Sequence, residues 1–384
     1  MYSGTSISKP LLMAAIVLLA GAVSIGSATP LQEQPGHSTL SRRASLAFAP
    51  IPHPSSSSSK LWFGDETQSL AVDKRGNVYG NSCGEKDAKG DYPLNTVGRI
   101  DAASNNITLF YEDADSNTYI TGLEFFQPRT ANNGLLLTDI TKHRVIELTW
   151  NSTCPKGPAS LVGKTDVARR VVCENPEMLQ PNDMAVADRG RRIYLSGLRG
   201  TMDSGEGDLW LCNTESGKMQ RLDVMGRTNG IELSPQEDCL YVSEAVGGWI
   251  PSNNRIWRYH LDPATGAVMG DKELFFDFQK YDQTGHVDIN GMKLAQDGSL
   301  YVTRMSGSEI VVLSPEGKAT AHIPTPFKRV ADVNMGGPDG KTMYIVGPAD
   351  SDDHNKPVDA CLYKAPSAVA GREWTRLQKE AASK

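Results

Sequence analysis

One motif recurs along this chain and restricts the folds open to it. Gln68-Ser-Leu-Ala-Val-Asp-Lys-Arg-Gly-Asn-Val-Tyr79 has counterparts in Asn182-Asp-Met-Ala-Val-Ala-Asp-Arg-Gly-Arg-Arg-Ile-Tyr194, Asn229-Gly-Ile-Glu-Leu-Ser-Pro-Gln-Glu-Asp-Cys-Leu-Tyr241 and Asn290-Gly-Met-Lys-Leu-Ala-Gln-Asp-Gly-Ser-Leu-Tyr301. A fifth copy runs from Asp332 to Tyr344, and a degenerate one from Thr121-Gly122 to Asp139. Each is a short alternating strand, a turn bearing Asp or Gly, and a second β-rich strand. Units spaced roughly 40–60 residues apart, continuing into outer strands such as Arg255–Tyr259, are the pattern of a propeller. Six copies predict an all-β, six-bladed β-propeller with four-stranded antiparallel blades. Amphipathic helical windows between strands, which a doubly wound α/β fold needs, are missing.

The ends read differently. Lys9, the apolar run Leu11–Val23 and Gly26-Ser27-Ala28 form a signal-peptide pattern over residues 1–28. The run is short of the ~20 residues that span a bilayer, so stable membrane insertion is not expected. Residues 29–60 are a Pro/Ser-rich lead-in, 61–365 the propeller, and 366–384 a charged tail, either a short helix or disordered. The expected localisation is the secretory pathway or extracellular space. The sequons at Asn106 and Asn151 fit that route as glycosylation sites. So do six cysteines, for which the pairings Cys154–Cys173, Cys212–Cys239 and Cys83–Cys361 are expected, with a free thiol as the alternative. A net charge of −6 without a basic run excludes nucleic acid as a partner.

In a propeller the inner strand of each blade lines the central channel. Aligned on the closing Tyr, the copies put Gln68, Asn182, Asn229, Asn290 and Asp332 in one register, with Thr121 in the sixth place. Asn before Gly is common in turns for its left-handed backbone alone. That reading covers Asn229 and Asn290 but not the rest of the register. A ring of amides at the channel mouth therefore carries the candidate chemistry.

The stretches Pro181-Asn-Asp183, Asn229 to Pro235, Asn290-Gly-Met292 and Gly336 to Gly340 resemble the gluconolactonase/SMP-30/strictosidine-synthase-like propellers over roughly residues 60–350. The resemblance implies a divalent ion held by a first-blade Glu, two Asn and the Asp of an Asp-Gly-Met step. The Asn positions fall on Asn182 and Asn229. The two carboxylates fall on Gln68 and Asn290, both neutral. Glu66 is the nearest substitute in a metal set of Asn182, Asn229, Asn290 and Glu66. Hard cations bind through oxygens that usually include carboxylates, so no cofactor is expected, with Ca2+ as the alternative.

A neutral ring resembles the site expected of the fungal hetero-Diels-Alderases of tropolone–sesquiterpenoid biosynthesis. That resemblance implies a metal-independent pericyclase, joining a tropolone quinone methide to a humulene-type sesquiterpene. Gln68, Asn182, Asn229 and Asn290 would polarise the oxygenated diene. His286 or Asp332 would act as acid or base, and Thr121, Trp249 and Met292 would touch the polyketide or terpenoid substrate. The alternatives are a Ca2+-dependent lactonase or esterase and a non-catalytic binding propeller. No Gly-x-Ser-x-Gly elbow is present to support a Ser hydrolase. The sequence sets no oligomeric state.

Overall fold

The computed structural model describes residues 42–52, 63, 67–82, 96–115, 117–129, 131, 133–151, 160–199, 205–247, 251–348 and 361–383. Strands pair in sequence order within each blade. Blade 1 holds Leu70–Val72, Val78–Ser82, Thr96–Ile100 and Ile107–Glu112; blade 2 holds Ile120–Phe126, Asn133–Asp139, Arg144–Trp150 and Val167–Glu174. Blade 3 begins with Gln180–Ala187, Arg192–Leu198 and Glu206–Asn213. Its outer strand is the first half of the long strand Lys218–Leu233, whose second half becomes the inner strand of blade 4. Cys239–Val246, Asn253–Leu261 and Val268–Asp277 complete blade 4. Blade 5 is Ile289–Leu294, Leu300–Arg304, Glu309–Leu313 and Ala319–Pro324. These pairings give the six blades that the repeats predict.

Apolar side chains of neighbouring blades interdigitate to form the core. Between blades 1 and 2, Tyr79, Phe110, Phe125 and Trp150 pack with ring centroids 4.5–6.3 Å apart. Phe63 and Met292 are fully buried in similar seams.

Blade 6 closes the ring with strands from both ends of the sequence. Asp332–Gly336, Thr342–Gly347 and Cys361–Pro366 are joined by Ala49–Pro50 as the outer strand. Arg42–Arg43 adds a parallel strand to the outside of blade 5. The propeller therefore begins before residue 61, inside the segment read as a lead-in. The charged tail forms a helix, Arg372–Ala382, with Arg372, Glu373, Arg376, Leu377 and Glu380 buried.

The disulfide expectation needs correcting. Cys173 bonds Cys212, with Cα atoms 6.3 Å apart, because the outer strand of blade 2 packs beside the third strand of blade 3. This replaces the expected Cys154–Cys173 and Cys212–Cys239 pairs. Cys239 is a thiol 3.6 Å from His260 Nδ1. Cys83 and Cys154 lie outside the described residues, as do residues 1–28, where a signal peptide is expected, Glu66 and Trp249. Asn106 and Asn151 are exposed. No helix among the described residues is long and apolar enough to cross a membrane.

Candidate functional site

The ladder between the first two strands of blades 2, 3, 4 and 5 is interrupted at the ring positions. Register shifts fall between Ile120 and Leu123, Pro181 and Asp183, Thr228 and Ile231, and Ile289 and Met292. Thr121, Asn182, Asn229 and Asn290 occupy these bulges. A bulge leaves a residue out of the ladder and re-aims its side chain, which is how apolar strands present amides here. Asn182 Nδ2 donates to Asn229 Oδ1 at 2.6 Å, joining blades 3 and 4. Asn290 Nδ2 lies 3.3 Å from Met305 Sδ. Gln68, in the same register on blade 1, donates its backbone N–H to Asn81 Oδ1 at 3.2 Å. None of Asn229, Gly230, Asn290 and Gly291 has a positive φ, so the glycines serve close approach rather than a left-handed turn. A Cβ at Gly230 would lie 2.6 Å from the Asn290 carbonyl oxygen.

Three sequence-derived candidates, Thr121, Met292 and Asp332, make contacts other than those expected. Thr121 Oγ1 donates to the Pro181 carbonyl at 3.0 Å and sits 2.9 Å from Thr138 Oγ1, so it staples blade 2 to blade 3. Met292 is core and does not reach the mouth. Asp332 is one residue deeper than the amides: Gly291 N–H donates to the Ala331 carbonyl, and a Cβ at Gly291 would meet Asp332 Oδ1 at 1.9 Å. Ala331 therefore holds the sixth ring position, because the blade 6 ladder has no bulge to accommodate an extra residue. His286 is exposed in the loop between Thr284 and Val287, which Arg304 Nη2 holds through both carbonyls. Arg304 itself is fully buried against Phe278, 3.5 Å from the ring centroid.

Below the amides lies a set of buried charges that the repeat alignment overlooked. Asp183 and Asp332 form the next level, on opposite blades. Glu124, Glu232 and Lys293 follow, each three residues after a ring position. The shared offset in otherwise apolar strands was the available signal. The channel wall consists of six strand edges whose backbone groups lack ladder partners. Asp332 Oδ2 accepts from Leu70 N–H at 2.7 Å, and Glu124 Oε2 from Val186 N–H at 3.1 Å.

The helix Arg372–Ala382 supplies the remaining partners and closes the far end. Glu373 accepts N–H groups of Val72 and Phe125 and the Asn334 amide. Arg372 donates to the Val186 and Ser234 carbonyls and to Glu232 Oε1 at 3.0 Å. Arg376 donates to Glu124 Oε1 at 2.8 Å. Ala370 accepts from Gln296, and Gly371 packs on Met335, so this segment touches the inner end of every blade.

Among the described residues, six buried acids of this set, Glu124, Asp183, Glu232, Asp332, Glu373 and Glu380, accompany three buried cations, Lys293, Arg372 and Arg376. Burial pushes the Asp332 and Glu124 carboxyls up to about 8 each. Burial likewise raises Asp183 and Glu373. Burial disfavours the Lys293 ammonium, but Asp183, Glu232, Asp332 and Glu124 together hold its pKa above an ordinary lysine's.

A divalent ion does not fit the described residues. The described ring side chains at the bulges carry no charge, and two of them, Asn182 and Asn229, are paired to each other. Among the described residues no three His, Cys, Asp or Glu side chains are arranged to hold a metal.

Comparison with known proteins places this architecture. Residues 130–347 match the SMP-30/Gluconolactonase/LRE-like region, and the chain belongs to that family. It is similar to the putative sugar lactone lactonase YvrE of Bacillus subtilis, 26% identical over 44% of this chain and 54% of that protein. Regucalcin of Xenopus laevis is 23% identical over 50% of this chain and 66% of its own length. The chain thus spans roughly half to two thirds of these relatives. The solved calcium-binding protein regucalcin from Agrobacterium tumefaciens superposes with a TM-score of 0.63 at 14% identity, covering 85% of this chain and 96% of that one, and shares the fold.

Proposed function

We propose that this chain is an enzyme that takes a small, neutral, oxygenated molecule at the amide-lined mouth and acts on it without a metal ion. The observation that carries this reading is the neutral register of Gln68, Asn182, Asn229 and Asn290, with Asn182 and Asn229 hydrogen-bonded to each other. Amides give donors and acceptors without charge. They suit a reaction in which a carbonyl must be polarised and two partners aligned rather than a water ionised.

Hetero-Diels-Alder cycloaddition has these demands. The amide donors would bind the oxygen of a tropolone quinone methide while a humulene-type alkene lies against it. Two bonds form between the partners and no proton or electron is left over. His286, exposed on the loop after the short helix Phe278–Asp282, is the remaining candidate for the dehydration that makes the quinone methide.

The second reading is lactone hydrolysis, favoured by the relatives named as lactonases. It requires a carboxylate at the mouth to activate water, for which Glu66 is the candidate. Purified protein, dialysed with and without EDTA, should be assayed for bound divalent metal, for hydrolysis of sugar lactones, and for adduct formation from a quinone-methide precursor and humulene. Adduct formation that survives EDTA supports the first reading. EDTA-sensitive lactone turnover with a stoichiometric ion overturns it.

A further inference from the structure

We infer that Cys239 is a covalent-modification site on one face of blade 4, a thiol primed by His260 and Glu273 to add to soft, neutral carbon electrophiles such as an α,β-unsaturated carbonyl. The inference stands apart from whichever reaction occurs at the channel mouth.

The three side chains stand in a row across neighbouring strands. Cys239 pairs with His260 in the ladder between the second and third strands, and Glu273 lies on the outer strand opposite Arg258. Cys239 Sγ is 3.6 Å from His260 Nδ1, and His260 Nε2 is 3.3 Å from Glu273 Oε1. Arg258 Nη2 holds the other oxygen of that carboxylate at 2.7 Å. A proton on Nε2, facing Glu273, leaves the Nδ1 lone pair toward the thiol. Nucleophile, base and orienting group thus follow in the order that activates a nucleophile. Burial, with the Asp238 carboxylate, pushes the thiol up from its ordinary value. The resting group is therefore S–H, and its proton leaves as the sulfur attacks. Addition needs no further reagent. The proton passes to Nδ1, the sulfur bonds the β-carbon, the alkene pair moves to the α-carbon, and that carbon takes the proton back. The site is open to such a molecule, since Cys239 is partly exposed and the His260 side chain is 42% exposed. Met269, directly opposite His260 on the outer strand and 48% exposed, offers apolar surface to the electrophile's hydrocarbon. Ser234 fixes the Cys239 backbone, donating its N–H to the Cys239 carbonyl and accepting Cys239 N–H on Oγ at 3.0 Å.

The test follows N-ethylmaleimide labelling of Cys239 by peptide mass spectrometry in the native full chain and its His260→Gln and Glu273→Gln variants. Near neutral pH the unaltered chain should label at least roughly tenfold faster than His260→Gln, with Glu273→Gln slowed severalfold. Above the usual thiol range, where solvent removes the proton, the three rates should converge. An unlabelled Cys239 in the unaltered chain overturns the inference, as do equal rates near neutral pH. A gap that persists unchanged at high pH also overturns it, because it marks altered access rather than a lost base. Should His260→Gln fail to fold, the unaltered chain still decides: its labelling should rise less steeply with pH than that of free glutathione, and an equal dependence overturns the role of His260.

Discussion

At the scale of single residues, backbone spacing governs what the channel can present. Gly291 passes so close to Asp332 that a methyl group there would overlap Oδ1. Gly291→Ala should therefore cost about 1–3 kcal/mol, the usual penalty of overpacking, read as a lower urea midpoint with an unchanged slope. Asp332 has a further consequence. Its folded pKa of about 8 lies above the value near 4 of an unfolded aspartate. Between those values the folded chain holds a proton that the unfolded chain has released, so stability falls as pH rises from about 4 to about 8. The urea midpoint should be lower at pH 8 than at pH 5, and Asp332→Asn should shrink the difference. Equal sensitivity in the variant would assign the effect to other groups. The amide ring itself was legible in the repeats, because register survives in sequence. The place of Asp332 was not, since alignment on the closing Tyr cannot see which blades carry a bulge.

At the scale of elements, the helix Arg372–Ala382 does for the inner strand edges what another strand does elsewhere in a sheet. Its Arg and Glu side chains pair with backbone groups that would otherwise be buried without partners. Arg372→Ala leaves Glu232 buried beside one fewer cation and uncovers the carbonyls of Val186 and Ser234. Removing one partner of a buried pair costs about 3–5 kcal/mol, and chemical denaturation should show a loss of that order. Arg189→Ala, which removes contacts to Ser383 and the Glu380 carbonyl at the more exposed end of the helix, should cost far less. Composition identified this segment as charged and left its structure open. Its partners are more than a hundred residues away in most cases, and no local pattern could name them. The disulfide escaped for the same reason: Cys173 and Cys212 meet through the packing of blade 2 on blade 3, not through a shared loop or adjacent strands.

For the molecule as a whole, six blades must meet, and the meeting is made by Ala49–Pro50 on Cys361–Pro366. Ile51 is buried beside this junction and donates to the Leu362 carbonyl. A chain starting at residue 61, the boundary that composition suggests, should melt several degrees lower and at a less sharp transition than one starting at residue 40. Differential scanning calorimetry would show it, and identical melts would deny the short strand its role in closure. The blade count was plain from the repeats. Closure was hidden because two residues in a Pro/Ser-rich stretch carry no strand signal of their own.

The helix that seats against all six inner strands also sets the traffic through the molecule. With the far end sealed by salt bridges and backbone contacts, the channel is a well, not a tunnel. On the proposed reading, whatever is formed against the amide ring would leave by the opening through which its precursors came. Product and substrate would then compete for one doorway, and turnover would be coupled to how fast that doorway is cleared.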